Sequence, residues 1–123
     1  DRLRSRGLGD VYKRQVQVLG EVNAPGTVEL ASDDMNVLAA ISKAEWVTTY
    51  GRIKKVQVIR IDDGVMYVKE ANIKDYIEKH DISQNFALED GDIIYIPKSN
   101  KIDFHQDVLP LINVYSTYRA LTD

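Results

Sequence analysis

Three side chains in one short segment are suited to binding a carbohydrate. Trp46 and Tyr50 offer flat aromatic faces, and Arg52 places a charged hydrogen-bond donor beside them in the sequence. Such rings could stack on sugar rings while the guanidinium binds a hydroxyl group. The same residues could instead cap the sheet or contact a second subunit, because amphipathic rings are enriched at protein interfaces generally. The segment is therefore a candidate for ligand or subunit contact.

Residues for catalysis or metal binding do not form a usable pattern. His80 and His105 lie far apart, without Asp or Glu at ligand spacing, so we expect neither a metal site nor a general base. Cysteine is absent, which removes thiolate chemistry. Glu89, Asp90 and Asp92 lack the alternating donors and closing glutamate of a calcium loop and predict a turn. With no serine elbow, phosphate loop or dinucleotide fingerprint, we expect no enzyme activity and no cofactor.

The charge distribution argues against nucleic acid as a ligand. The 123-residue chain has a net charge of -3, but residues 1–15 contain five basic and two acidic side chains, a net of +3, which leaves -6 for residues 16–123. An acidic surface repels phosphate backbones. We therefore expect no binding to DNA or RNA.

Alternating apolar residues predict a small domain over residues 16–98. Strands are predicted at 16–22, 27–30, 55–61, 65–68 and 93–96, with a helix capped by Asn36 and one or two helical turns near Ile73. Four turn residues are assigned a structural role, because they set the backbone geometry between strands: Pro25, Gly26, Gly64 and Gly91. The order strand, strand, helix, strand, strand, short helix, strand predicts an α+β fold, a β-grasp in which a mixed sheet curls around one helix.

Four sequence blocks, in this order, resemble SLBB (soluble ligand-binding β-grasp) domains. They are residues 18–28, with a strand followed by Pro25-Gly26, the helix at 36–44, the strand at 56–60, and residues 88–97, in which Gly91-Asp92 precedes an isoleucine-rich strand ending in proline. One departure is that Glu45-Trp46 replaces the paired glycines that usually follow the helix. We expect the loop there to differ from that of the family.

The resemblance implies a structural transport component of capsule or exopolysaccharide export, in the periplasm and outer membrane of a Gram-negative bacterium. The implied partners are other copies of the chain in a homo-oligomeric ring, the polysaccharide, an inner-membrane polysaccharide co-polymerase, and the outer membrane through a C-terminal helix. The alternative is a freestanding β-grasp module that binds a ligand or docks a protein without membrane association, since one fold serves many functions.

Residues 99–123 are predicted to form a linker and a C-terminal helix that begins near Val108. Its length of about 21 Å is less than the roughly 30 Å of hydrocarbon in a bilayer. It could be part of a longer amphipathic helix in an oligomeric barrel, a membrane-surface helix, or a helix packed on a neighbouring domain. Its apolar face comprises Val108, Leu111, Ile112 and Tyr115.

Residues 1–15 fit neither a strand nor a helix pattern and are predicted to lie outside the domain. The run 10–15 resembles the translation of a transposon-end adapter, which indicates a cloning or assembly scar. The alternative is a basic arm that binds anionic lipid or a partner.

Overall fold

The computed structural model describes residues 13–99, together with Lys101 and Pro110. Within residues 13–99 the chain forms five strands and two α-helices, connected in part by three short 3-10 helices. In chain order the elements are β1 (Lys13–Gly20), β2 (Gly26–Ala31), α1 (Val37–Lys43), β3 (Val56–Asp62), β4 (Val65–Ala71), α2 (Ile73–Lys79) and β5 (Ile93–Ile96), with 3-10 helices at Ser32–Asp34, Ile53–Lys55 and Ile82–Gln84.

All five strands belong to one mixed sheet, in the spatial order β2-β1-β5-β3-β4. The last strand, β5, lies at the centre, parallel to β1 and antiparallel to β3. The hairpins β1–β2 and β3–β4 flank it, so β2 and β4 form the two edges. This sheet with α1 packed on one face confirms the predicted α+β class and β-grasp fold.

The main core lies between α1 and the sheet face that it covers. The side chain of Asn36 accepts a hydrogen bond from the backbone N–H of Ala39 at 2.8 Å and so caps the start of α1, as predicted. The residues of α1 that are buried recur at helical spacing: Val37, Ala40 and Ile41. They belong to one cluster with Val16, Val18, Leu30, Val56, Val58, Ile94 and Ile96. Full burial of a valine or isoleucine side chain contributes about 1.5–3 kcal/mol, so this cluster is a major source of stability.

The turn glycines have the backbone conformations that their turns require. Gly26, Gly64 and Gly91 have φ angles of 137°, 77° and 91°. Asp63, directly before Gly64, also has a positive φ, 52°. Two consecutive positive φ values between β3 and β4 are typical of the tight hairpin turn that Asp-Gly favours.

β1 begins three residues before the domain boundary that we predicted at residue 16. Lys13, Arg14 and Gln15 pair with β2, opposite Ala31, Leu30 and Glu29. This extension was not predicted, because residues 13–15 are all polar and show no alternation of apolar side chains. Arg14 and Gln15 are exposed, so this part of the strand is held by its backbone pairing rather than by burial of those two side chains.

Two predicted segments lie outside the described residues. These are residues 1–12 and the apolar face of the C-terminal helix, with Val108, Leu111, Ile112 and Tyr115. Within the described part of the chain, no helix is long and apolar enough to cross a membrane.

Candidate functional site

The loop after α1 contains two consecutive residues in the left-handed backbone region. Glu45 and Trp46 have φ angles of 65° and 69°. These are the positions where SLBB domains usually have paired glycines, the residue that adopts this conformation most readily. The backbone therefore adopts, at both positions, a conformation that glycine favours, although neither residue is glycine.

Asn23 holds this loop against the turn between β1 and β2. Its backbone N–H donates to the carbonyl oxygen of Trp46 at 3.0 Å. Its side-chain amide lies 2.9 Å from the carbonyl oxygen of Glu45 and 3.3 Å from that of Trp46. These contacts fix the two left-handed residues in place.

The three residues predicted to contact a ligand share this loop but have different surroundings. The ring of Trp46 is half-buried and packs against the hydrophobic core. Tyr50 is 68% exposed, and Arg52 is exposed while its backbone N–H donates to the carbonyl oxygen of Pro97 at 2.9 Å. Tyr50 and Arg52 are therefore accessible, whereas much of Trp46 stabilises the fold.

A second candidate site is organised by an ion pair between β3 and the turn before β5. The guanidinium of Arg60 meets the carboxylate of Asp92 at two points, Nε to Oδ1 at 2.9 Å and Nη2 to Oδ2 at 2.8 Å. Asp92 is only 1% exposed. The hydrogen bond to Asp92 raises the pKa of Arg60, while partial burial opposes the shift. Two-point pairing of this kind fixes the orientation of both side chains.

The same carboxylate organises the turn that contains Glu89. Asp92 Oδ2 accepts a hydrogen bond from the backbone N–H of Glu89 at 2.9 Å. The side chain of Glu89, 71% exposed, lies 3.4 Å from Arg60 Nη1. The turn predicted from the acidic residues therefore exists, and its buried member binds an arginine.

A groove with a volume of about 440 Å³ opens beside Arg60. Its side chains come from three places, β3, β4 and residues 86–89. They are Val58, Arg60, Asp62, Tyr67, Val68, Lys69, Phe86, Ala87 and Glu89. This size falls within the range of about 300–1,000 Å³ for small-molecule sites.

One wall of the groove combines aromatic rings with a cation. The ammonium nitrogen of Lys69 lies 4.1 Å from the centre of the Phe86 ring, a cation–π contact. Tyr67 is two residues from Lys69 on the same face of β4, opposite Arg60, and is 56% exposed. The exposed side chain of Tyr67 therefore lies beside Lys69, whose ammonium group contacts Phe86.

The segment that carries Phe86 is anchored to α1 and to Met35, which lies between the 3-10 helix Ser32–Asp34 and α1. The side chain of Asn85 accepts a hydrogen bond from the backbone N–H of Leu38 at 2.8 Å. On the other side, the backbone N–H of Leu88 donates to the carbonyl oxygen of Met35 at 2.9 Å. The groove wall is thus held on both sides of Phe86.

The groove was not predicted from the sequence. Arg60 is a clue in the sequence, because it lies on the same side of β3 as the apolar residues Val56 and Val58, which face the core. A buried-side arginine needs an anionic partner. No pattern in the sequence, however, joins β3 to Asp92 or to Phe86, because that pairing depends on the insertion of β5 next to β3.

Among residues 13–99, no group of three or more His, Cys, Asp or Glu is arranged to hold a metal ion. His80 lies at the C-terminal cap of α2 with a φ of 58°, and His105 lies outside the described residues. The groove can therefore supply hydrogen-bond donors, acceptors and aromatic faces.

The mixed sheet, its central last strand and the helix α1 packed on one face define a β-grasp domain. The sequence profile of the SLBB domain matches residues 14–96, from the start of β1 to the end of β5. The match covers more than half of the chain, which therefore belongs to the SLBB domain family. A search of curated proteins found no match. SLBB domains are found in polysaccharide export proteins.

Proposed function

We propose that this chain is the SLBB portion of a structural transport component for capsule or exopolysaccharide export. The observation that carries the proposal is the SLBB match across the complete β-grasp, residues 14–96. The protein acts by association and is not an enzyme. It works in the periplasm and at the outer membrane of a Gram-negative bacterium, in contact with the polymer and an inner-membrane co-polymerase.

Self-association of the chain is part of this proposal, and the edge strand β4 supports it. Its residues Val65, Met66, Tyr67 and Val68 are 50%, 38%, 56% and 41% exposed. A long apolar edge strand is a template for pairing with another chain. In the full-length protein this edge offers a subunit contact in addition to the predicted C-terminal helix.

Export is tested by deleting the gene for the full-length protein in its own bacterium. We expect loss of released capsule or exopolysaccharide, restored by the wild-type gene supplied in trans. Native mass spectrometry of the full-length protein in detergent should give a homo-oligomer. Unchanged polymer release after deletion, or a monomer at every concentration, would overturn the proposal.

A freestanding ligand-binding or protein-docking module is the second candidate, and the groove beside Arg60 favours it. A binding domain of this kind needs a preformed site but neither an oligomer nor a membrane. The same two measurements separate the candidates. A monomeric full-length protein whose deletion leaves polymer release unchanged is the result that this second function predicts.

A further inference from the structure

One side of the groove beside Arg60 is formed by residues that hydrogen bonds already hold in position, so a ligand does not need to rearrange them. The two hydrogen bonds between Arg60 and Asp92 hold the guanidinium, and Asp92 also binds the backbone of Glu89. A site whose side chains are already fixed loses less conformational entropy when a ligand binds. The groove is therefore preorganised on the side formed by β3 and the turn before β5.

Two cations and two anions line the groove, and one of the cations, Arg60, is already paired with Asp92. Arg60 and Lys69 are cations, and Asp62 and Glu89 are anions. A phosphate or carboxylate ligand would be attracted by Lys69 but repelled by the two carboxylates. An apolar ligand would remove these four groups from water without replacing their hydrogen bonds, at a cost of free energy. The lining thus favours an uncharged ligand that both donates and accepts hydrogen bonds.

The aromatic residues narrow the ligand class further. Tyr67 is 56% exposed and presents a flat ring next to Lys69, whose ammonium group lies over the ring of Phe86. The electron-rich face of an aromatic ring attracts the slightly positive C–H groups on the apolar face of a pyranose. A neutral sugar combines such a face with hydroxyl groups that can donate to Glu89 or Asp62 and accept from Lys69.

We propose that this groove binds one or two neutral hexose units of a polysaccharide, with Tyr67 as the stacking platform. The class of ligand in this inference rests on the proposed function, whereas the position of the binding site is inferred from the groove. It moves the saccharide contact from the loop of Trp46, Tyr50 and Arg52, which bonds to Pro97 after β5, to the groove beside β3 and β4, near Asp92 before β5.

The test is a titration of the ¹⁵N-labelled chain followed by NMR. The neutral probes are cellotriose, maltotriose and mannotriose, and trigalacturonate is the anionic probe. We expect at least one neutral probe to shift the amide signals of Arg60, Tyr67, Lys69 and Glu89, with a Kd on the order of 1 mM. The absence of shifts with all three neutral probes, or binding of trigalacturonate alone, would overturn the inference.

Variants then separate a specific site from a general surface effect. Tyr67→Ala should weaken binding by roughly tenfold or more, whereas Tyr67→Phe keeps the ring and should stay within about threefold of wild type. Lys69→Ala should also weaken binding, and Lys74→Ala, an exposed lysine on α2, is its matched control. If Tyr50→Ala abolishes binding and Tyr67→Ala does not, the sugar binds at the loop and the groove assignment is wrong.

Failure of the groove and failure of the proposed function give different results. If the full-length gene restores polymer release but no neutral probe binds the chain, only the groove inference falls. If the probes bind through Tyr67 and deletion of the gene leaves release unchanged, only the export proposal falls.

Discussion

Arg60 and Asp92 form a two-point ion pair across the boundary between β3 and β5, with both contacts shorter than 3 Å, at 2.9 and 2.8 Å. Arg60 directly follows Ile59, Asp92 directly precedes Ile93, and Ile59 pairs with Ile93. The positions of the two charged residues are therefore set by the register of β3 against β5. The pair therefore reports on the correct insertion of β5 into the sheet.

Removing the arginine should destabilise the fold. Arg60→Met leaves the carboxylate of Asp92, 1% exposed, without a cation. Breaking a buried pair costs about 3–5 kcal/mol, and because the side chain of Arg60 is 37% exposed we expect a smaller loss, about 2 kcal/mol. Urea denaturation measures the change, with Arg52→Met as the control at an exposed arginine. The double variant Arg60→Met/Asp92→Asn should lose less than the sum of the single losses, and strict additivity would show that the pair is not coupled.

Glu45→Gly should raise the stability of the domain. A non-glycine residue in the left-handed region costs about 1–2 kcal/mol, and glycine removes this strain. Glycine also increases the conformational entropy of the unfolded chain, which offsets part of the gain, so we expect a net gain of about 0.5–1 kcal/mol. Lys43→Gly, at the last residue of α1, is the control and should lower stability by about 0.5 kcal/mol, because Lys43 has a helical backbone that glycine does not favour. Trp46→Gly should also lower it, by about 2 kcal/mol, because the ring packs on the core. A loss of stability in Glu45→Gly would contradict the strain assigned to this position.

Two glycines with positive φ allow conformational strain to be separated from steric contact. A Cβ atom on Gly20 would clash with the carbonyl oxygen of Ile96, whereas one on Gly26 would meet nothing within 4 Å. Both residues have positive φ, 93° and 137°. Gly20→Ala should therefore cost at least about 2 kcal/mol more than Gly26→Ala, because the backbone of β5 must move. Equal melting temperatures of the two variants would show that β1 and β5 are not so closely packed in solution.

The sequence predicted the order of elements and the main features of the core, because apolar periodicity and turn residues are local signals. Asn36 at the start of α1 and Asp63-Gly64 between β3 and β4 illustrate this, since each acts on residues within one turn of itself. What the sequence could not predict depends on contacts distant along the chain. The polar start of β1 is bonded to β2 and to Asp90 in the turn before β5, and the groove beside Arg60 depends on the placement of β5 next to β3.

The start of β1 gives a prediction about truncation. Gln15 donates its backbone N–H to Asp90 Oδ1 at 2.7 Å, and its carbonyl oxygen accepts from the backbone N–H of Gly91 at 2.7 Å. A chain that begins at Val16 loses both hydrogen bonds and the pairing of residues 13–15 with β2, so it should be at least about 2 kcal/mol less stable than one that begins at Lys13, at about 1 kcal/mol for each bond. Thermal and urea unfolding of the two truncated chains make the comparison. Equal stability would mean that residues 13–15 contribute nothing to the domain.

The edge strand β4 gives a prediction about assembly. β2 and β4 are the two edges of the sheet, and the pairings within it make them run in opposite directions. A second copy in the same orientation would therefore bring its β2 against β4 as an antiparallel neighbour, which hydrogen-bonds slightly better than a parallel one. Such head-to-tail pairing can continue into a ring.

Charges placed on this edge should block that pairing without unfolding the domain. In the full-length protein, Val65→Lys/Met66→Lys alters two side chains that are 50% and 38% exposed and do not line the groove. Lysine on an edge strand is a common means of preventing sheet extension, so we expect native mass spectrometry in detergent to show smaller assemblies. Ile77→Lys/Ile82→Lys adds the same charge at exposed positions elsewhere, 46% and 80% exposed, and should leave the assembly intact. If both double variants assemble like the wild type, β4 is not a subunit contact; if both dissociate, added charge rather than strand pairing is responsible.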